Sequence, residues 1–164
     1  MAAVDKFVLL TQCQFSREHY QHRFRHQDTW YTMGVTNVRH PDLIVNRTYA
    51  DPQEDWDKIK RRLPNYSDWL GQFDACIVPS LWETNYGIIL ALAAQLGIKT
   101  QVLLDPISNC TGTDRLVEIC RALHATTYLA GASGASYMDL EKFKAAGITV
   151  EHQVAIDKRH IFET

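Results

Sequence analysis

The residues best suited to chemistry lie in one basic, histidine-rich segment that follows the first apolar run of the chain. In TQCQFSREHYQHRFRHQD, which begins at Thr11, arginine and histidine are interleaved with aromatic side chains. A guanidinium group binds phosphate or carboxylate through two parallel hydrogen bonds, and histidine can transfer a proton near neutral pH. The candidate catalytic residues are His19, His22 and Arg23, and the candidate substrate-binding residues of this segment are Gln14, Ser16, Arg17 and Arg25.

A second candidate site is the glycine-rich turn AGASG, residues 130–134, which separates an apolar run from a helical pattern. Glycine lets the backbone turn sharply and approach a bound group. The first amides of a helix have no partner inside the helix, so a turn of this kind can hold an anion. The alternative is a tight strand-to-helix connection that serves backbone geometry only. The candidate substrate-binding residues here are Gly131, Ser133, Gly134 and Tyr137.

Arg115 is the remaining candidate for substrate binding, and it follows the loop DPISNCTGTD. Its alternative role, together with Asp114, is to complement the start of a helix and cover the surface. In open α/β sheets, ligands bind beyond the carboxyl ends of the strands. Three loops follow the carboxyl ends of predicted strands, namely the basic segment, this loop and the glycine turn. If the three strands are parallel neighbours, the three loops converge on one rim.

The histidines also raise the question of a metal site. His19, His22 and His26 are spaced i, i+3, i+7 and would share one face of a helix. No acidic or cysteine partner lies nearby in the sequence, so the pattern favours a solvated basic face over a metal site. Cys13 could act as a nucleophile, but a lone cysteine is more often a small apolar residue. We expect neither a metal nor a cofactor.

The elements that position these residues are less regular in the first half of the chain. Lys6–Leu10 is a predicted strand, and the basic segment after it is predicted to be partly helical. Trp30–Val35 and Leu43–Tyr49 are predicted strands joined by a polar turn, which makes them candidates for an antiparallel pair. Asp51 and Pro52 open a predicted helix that ends before Pro64. Helical spacing recurs from Tyr66 to Trp82, but Pro79 would break such a helix.

The second half alternates helix and strand. A predicted helix from about Thr84 to Gly97 leads into a strand, Ile98–Leu104, and Thr113 is the predicted cap of the next helix. A strand at Thr127–Leu129 follows, and Ser136, with Asp139 as its capping-box partner, is predicted to start a helix that ends at Gly147. Alternation from Ile148 to Ile156 predicts a last strand. The pattern predicts one α/β domain over residues 1–164, with a mainly parallel, Rossmann-like sheet flanked by helices.

Composition narrows the class of protein. The 164 residues carry a formal net charge of −2, which gives no general attraction to nucleic acid or to a membrane surface. No leader and no membrane-spanning apolar run is present in the sequence, and the four cysteines are scattered without a C-x-x-C pair. We therefore expect a cytoplasmic protein with a small anionic substrate, no membrane partner and no nucleic-acid partner.

Two blocks of the sequence resemble the WbqC-like protein family. The first is DKFVLLTQCQFSREHYQHRFR, in which an apolar strand leads into Q-F-S and then arginine, an aromatic residue, glutamine and arginine. The second is LGIKT followed by TDRLVEICRALHATTYLAGASGASYMDLEKFKAAGITVEHQ, which is similar to the family's second half. The residues that match are Gln14, Phe15, Ser16, Arg17, Gln21, Arg23, Arg25, Arg115, Tyr128, Gly131, Gly134, Tyr137 and Asp139.

The resemblance implies a function. The family occurs in bacterial surface-polysaccharide gene clusters and in phages, and it has been associated with transfer of an amino acid, glycine in particular, onto an acceptor such as a sugar. A member of this kind is expected to move an aminoacyl group onto a nucleotide sugar or another phosphorylated acceptor. His19 or His22 would take a proton from the attacking amine, while arginine neutralises developing charge.

Departures from the family pattern keep two alternatives open. The family carries acidic residues where this chain has Thr11, Gln12 and Cys13, and it has further sequence at both ends, so we interpret the chain as a shortened member. One alternative is a non-catalytic binding or assembly module, for which exposed apolar edges predict a homodimer. The other is a phage-type enzyme that modifies nucleic-acid bases, consistent with aromatic residues interleaved in the basic segment.

Overall fold

The computed structural model describes residues 1, 3–36, 42–106, 108–131, 134 and 137–153. Within it the chain divides into two compact units, Met1–Asp105 and Pro106–Thr164. The strands and α-helices of the first unit are β1 (Lys6–Leu9), β2 (Arg23–His26), β3 (Thr29–Thr32), α1 (Pro52–Arg62), α2 (Ser67–Gly71), α3 (Leu81–Gln95) and β4 (Gln101–Leu104). Those of the second are α4 (Gly112–Ala122), β5 (Thr127–Ala130), α5 (Leu140–Ala145) and β6 (Thr149–His152).

The first unit contains two strands that were predicted from apolar runs of the sequence, β1 within Lys6–Leu10 and β4 within Ile98–Leu104. Strands β1 and β4 pair in parallel, with Phe7 opposite Val102 and Leu9 opposite Leu104. Parallel strands need a long crossover connection, and here the connection holds the rest of the unit, including three α-helices. The carboxyl ends of both strands therefore lie at the same edge of the sheet.

The basic segment is not helical, which corrects the prediction made for it. Its C-terminal part is β2, which pairs antiparallel with β3 in a hairpin, and the residues before β2 form turns. The reason is a period of two: Phe24 stacks on Tyr31 beneath the hairpin, with 5.3 Å between ring centroids, while Arg23 and Arg25 alternate with it. The proposed helical face of His19, His22 and His26 is therefore wrong.

A second correction concerns the segment before helix α1. Strand β3 ends at Thr32 instead of Val35, and Leu43–Tyr49 contains a short 3₁₀ helix at Ile44–Asn46. An isolated antiparallel bridge joins Val35 to Tyr49. The antiparallel pair predicted for this third of the chain is confirmed, but it is formed by β2 and β3.

Local helix signals in the first unit predicted their elements well. Helix α1 begins at Pro52, and the Asp51 side chain accepts a hydrogen bond from the Glu54 amide, as an N-cap does. Helix α3 begins at Leu81, three residues before its predicted start, because Ser80 caps it. The core of the unit consists of the buried residues Phe15, Tyr31, Met33, Ile44, Tyr49, Trp56, Ile59, Leu63, Leu70, Phe73, Ile77 and Leu81.

The second unit packs helices α4 and α5 around Phe143, whose side chain is completely buried and stacks on Tyr128. Strands β5 and β6 pair in parallel. The predicted caps are corrected. Helix α4 is preceded by Thr111, not Thr113. Helix α5 begins only at Leu140, where Asp139 itself is the N-cap and accepts a hydrogen bond from the Glu141 amide.

The three predicted helix-to-strand transitions share one backbone feature. Gly97, His124 and Gly147 have φ values of 63°, 53° and 72°, which lie in the left-handed region. A residue in this conformation just after a helix lets carbonyl groups of the last turn find partners. The two glycines adopt it without steric cost, whereas His124 does so with a β-carbon. Gly147 therefore ends α5 as predicted.

The α/β class predicted from the sequence is confirmed. Two of the sheets in the described ranges are short and parallel, and helices accompany them. The Rossmann-like detail and the single domain over residues 1–164 stay predictions, as do the positions of Val154 and Ile156, which lie outside the described residues. No helix in the described part of the chain is long and apolar enough to cross a membrane.

Candidate functional site

A cavity of about 140 Å³ lies in the first unit, beneath the β2–β3 hairpin. Its walls come from the segment before β2, the hairpin itself, and helices α1 and α3. One water occupies roughly 10–15 Å³ by this measure, so the cavity has room for a ring-sized chemical group. We call it the hairpin cavity; its lining residues are Tyr20, Gln21, His22, Arg23, Phe24, Tyr31, Met33, Tyr49, Trp56, Ile59, Thr84, Asn85 and Ile88.

Arg23 is the cation of the hairpin cavity. Its Cζ atom lies 4.3 Å from the centroid of the Trp30 ring, and its Nη2 donates to the carbonyl oxygen of Glu18. Stacking and this hydrogen bond fix the plane of the guanidinium group. The Nε atom is buried and has no hydrogen-bond partner among the described residues. The side chain is thus held in place, and one buried donor is unpaired among the described residues.

His22 is the second candidate catalytic residue that lines the cavity. Its Nδ1 lies 2.9 Å from the Met33 carbonyl oxygen, and its Nε2 lies 3.3 Å from that of Arg17. A neutral imidazole has one N–H group, so it can donate to only one of these oxygens. The shorter contact assigns that proton to Nδ1, which leaves the lone pair on Nε2. A proton taken up at Nε2 would be donated to the Arg17 carbonyl oxygen.

Asn85 joins the cavity from helix α3, and no local sequence pattern indicated it. Its Nδ2 donates to the Gln21 carbonyl oxygen over 2.8 Å, across 64 residues of sequence. The Gln21 side chain in turn accepts a hydrogen bond from the Ser16 amide. These contacts fasten the turn that carries His22 to helix α3. Only the tertiary structure reveals this role, because an asparagine inside a helical pattern has no distinguishing signal.

Tyr49 is the most strongly perturbed titratable group at the cavity. Burial raises the pKa of its hydroxyl well above the ordinary value, because the low-polarity surroundings disfavour the phenolate. The neighbouring Thr84 hydroxyl bonds to the backbone N–H and carbonyl of Val78. Tyr49 and Thr84 therefore add no charge to the cavity lining, whereas Arg23 adds a positive charge.

A second polar centre lies at the carboxyl ends of β1 and β4. The buried Asp105 carboxylate accepts hydrogen bonds from the Thr11 amide at 2.7 Å, from the Thr11 hydroxyl at 2.8 Å and from the Gln12 amide at 3.3 Å. The loops after β1 and β4 therefore meet, as predicted for parallel neighbours. Asp105 therefore brings a buried carboxylate to Thr11 and Gln12.

The other candidates of the basic segment are not among the residues that line the cavity. Gln14 bridges to Leu43, and the Ser16 hydroxyl accepts a hydrogen bond from the Glu18 amide at 3.4 Å. His19 is exposed. Arg25 forms an exposed ion pair with Asp28 at 2.7 Å. Arg17 contributes its carbonyl group to the contact with His22.

A buried ion pair lies beneath this segment. Arg47, only 1 % exposed, places its Nε 3.1 Å from the Asp42 Oδ2, but these two atoms are misaligned for a hydrogen bond. Its Nη1 donates to the Thr36 carbonyl oxygen at 3.0 Å, and its Cζ lies 4.6 Å from the centroid of the Phe15 ring. Its Nη2 is buried without a hydrogen-bond partner in the described ranges. No local sequence pattern indicates this pair.

The candidates of the second unit have different surroundings. Arg115 is buried, and Tyr137 is exposed. Gly131 has open space where a β-carbon would lie. A β-carbon on Gly134 would come within 2.9 Å of both the Ala130 Cβ and the Met138 Cε. Gly134 is therefore needed for close packing. Ser133 and Ser136 lie outside the described residues.

The start of helix α4 is tied to that of α5. The Asp139 amide donates to the Thr113 hydroxyl at 3.0 Å, and Lys142 pairs with Asp114 at 2.7 Å. This hydrogen-bonded ion pair raises the pKa of Lys142. Asp114 thus complements the neighbouring helix. In the described part of the chain, no group of three His, Cys, Asp or Glu side chains is arranged to hold a metal ion.

Fold and cavity together define an α/β protein with an arginine and a histidine at an aromatic cavity. Residues 1–160 match the WbqC-like protein family, which covers almost the whole chain. The protein therefore belongs to the WbqC-like family. Searches of the curated proteins and of the solved structures found no match.

Proposed function

We propose that this protein is a transferase that moves an aminoacyl group, such as glycyl, onto a phosphorylated acceptor such as a nucleotide sugar. The observation that supports it best is the setting of Arg23, whose guanidinium is fixed by Trp30 beside His22 at an aromatic cavity. A fixed arginine fork suits a phosphate or carboxylate group. Family membership supports the same class of activity.

The proposed chemistry is an acyl transfer. An acceptor amine attacks the carbonyl carbon of the aminoacyl donor, a nitrogen–carbon bond forms, and the bond from that carbon to its activating group breaks. The activating group leaves with the bonding electrons. The amine loses a proton to the His22 imidazole, and Arg23 offsets the negative charge that develops. His19 is the alternative proton acceptor.

Binding is tested first, by thermal unfolding of the protein with nucleotide sugars, nucleotides, glycine and divalent metals. A ligand at about a hundred times its dissociation constant stabilises the native state by roughly 2.7 kcal/mol. We expect stabilisation by a nucleotide sugar, lost in Arg23→Ala and weakened in Arg23→Lys, because lysine keeps the charge but loses the fork. Arg61→Ala, which removes an exposed arginine of helix α1, is the matched control.

Transfer is tested separately by mass spectrometry of the acceptor after incubation with activated aminoacyl donors. We expect a mass increase of one aminoacyl group, absent in His22→Ala. Binding without any mass increase would favour the non-catalytic module of the same fold. Affinity for polynucleotides that falls steeply with added salt would instead favour the base-modifying alternative. An unchanged thermal response in Arg23→Ala would remove the hairpin cavity as the site.

A further inference from the structure

We infer that Arg47 and Asp42 are positioning residues for the hairpin cavity, acting on His22 through Phe15. Both side chains of the pair are buried. Arg47 is the largest fully buried side chain in the described part of the chain, and Asp42 is almost as buried. Replacing a buried ion pair by apolar groups of similar volume is often neutral or stabilising, so burial of this pair is weak evidence for a stabilising role.

The pair is also imperfectly satisfied. The Nε–Oδ2 contact of 3.1 Å is not aligned as a hydrogen bond, and the Nη2 of Arg47 has no partner among the described residues. Most buried donors in native proteins are hydrogen-bonded, so an unpaired one calls for an explanation other than a gain in stability. What Arg47 does provide is a flat guanidinium group 4.6 Å from the Phe15 ring centroid.

Phe15 connects this pair to the cavity. Its ring centroid lies 5.4 Å from that of His22, with 49° between the planes, and its amide donates to the Asp42 carbonyl oxygen at 2.9 Å. The Phe15 ring is thus held between a buried cation and the candidate base. The His22 ring also has two hydrogen-bonding contacts among the described residues, both to backbone carbonyl oxygens. Moving Phe15 would free the imidazole ring to rotate away from the Met33 carbonyl oxygen.

The variant that separates positioning from stability is Arg47→Met combined with Asp42→Asn. Methionine replaces the volume of arginine, and the asparagine oxygen retains the bonds from the Leu43 amide and the Asn46 side chain to Asp42 Oδ1. We expect the unfolding midpoint to be kept. The Nδ1 proton of His22, followed by NMR, should exchange with water roughly tenfold faster, because its bond to Met33 opens more often. Arg61→Met is the matched control.

A second readout rests on the proposed function: the nucleotide-sugar concentration that gives half of the thermal stabilisation should rise about tenfold in the double variant. If the wild-type protein shows no stabilisation, the proposed function fails, while the NMR arm still decides the present inference. A folded double variant with unchanged His22 resonances overturns it.

Phe15→Leu provides an independent route, because it keeps the Arg47–Asp42 pair and removes the ring contact. We expect the same change at the His22 Nδ1 proton. Unchanged exchange in a folded Phe15→Leu protein also overturns the inference. Loss of folding in both variants would assign Arg47 and Phe15 to stability alone, which is again a negative result.

Discussion

The hairpin cavity and the glycine turn both have residue types that suit an anion. The arginine of the cavity is oriented toward a possible ligand site, whereas a glycine of the turn is needed for close packing. At the cavity, Arg23 is fixed by an aromatic ring and lines the space in which a ligand could bind. In the turn, Gly134 is required because Ala130 and Met138 leave no room for a side chain. A glycine-rich turn between strand and helix is therefore not sufficient to indicate a ligand, whereas an oriented guanidinium at a cavity is a stronger sign.

The largest effect is expected at the core beneath the glycine turn. Phe143→Ala should lower the free energy of unfolding by about 3–5 kcal/mol, because the ring is fully buried and its removal leaves a cavity. Chemical denaturation measures the loss. Leu140→Ala, at an exposed position of the same helix, is the control and should change stability little. Equal losses in the two variants would contradict the packing assigned to α5.

The next effect separates packing from anion binding at the turn itself. Gly134→Ala should cost about 1–3 kcal/mol through overpacking against Ala130 and Met138. Gly131→Ala has open space and a backbone without a left-handed φ, so its unfolding free energy should stay within about 0.5 kcal/mol of the wild type. If Gly131→Ala instead abolished stabilisation by a nucleotide sugar, the turn would regain its interpretation as an anion site.

A smaller effect is expected at the turn of the hairpin that carries Arg23. Gln27 has a φ of 50°, which strains any residue with a β-carbon. Gln27→Gly should raise the free energy of unfolding by roughly 0.5–1 kcal/mol, since glycine relieves the strain but loses more entropy on folding. Thermal unfolding measures it, with Asp28→Gly as the control. Destabilisation by Gln27→Gly would show that the side chain matters more than the backbone.

An effect of similar size concerns the ion pairs of helix α1. Lys60 contacts both carboxylate oxygens of Asp74 at 2.9 Å, and this hydrogen-bonded pairing, with a further bond to Asp57, raises the Lys60 pKa above its ordinary value of 10.5. The contribution is therefore complete below pH 10.5 and disappears as the pH rises through the higher folded-state pKa.

The variant that tests this contribution is Lys60→Met. It should lower the free energy of unfolding by only about 0.5–1 kcal/mol at neutral pH, because the carboxylates are partly exposed. The difference from wild type should stay constant from neutral pH to about pH 10 and shrink above it, as measured by denaturation across that range. A difference that already shrinks between neutral pH and about pH 10 would assign the stabilisation to another group.

The parts of the fold that could be predicted from the sequence are those with local causes. Asp51 and Pro52 identify the start of α1, and Gly97 and Gly147 identify helix ends, because a cap or a left-handed residue acts within one turn. The hairpin was missed because its turn is Gln27–Asp28, whereas Asn-Gly or Asp-Gly is the usual hairpin signal. A basic run with helical histidine spacing then favours the wrong element.

The residues of the candidate site also divide into those that the sequence predicts and those that only the structure reveals. His22 and Arg23 could be proposed from residue type alone, because arginine side chains bind anions and histidine side chains transfer protons. Asn85, Asp105 and Arg47 could not be found, because their roles depend on partners distant in sequence or on burial. The Asn85–Gln21 and Asp105–Thr11 hydrogen bonds span 64 and 94 residues. Periodicity within a short window contains no information about such pairs.

The bond between Asp105 and Thr11 also has a consequence for biosynthesis. Strand β1 is made first, but its partner β4 and the Asp105 carboxylate follow about 94 residues later. At roughly 5–20 residues per second, a ribosome takes on the order of 5–20 s to reach them. During that interval the apolar residues Phe7 to Leu10 emerge without their native strand partner. The nascent chain thus displays this apolar segment until synthesis delivers the strand that pairs with it.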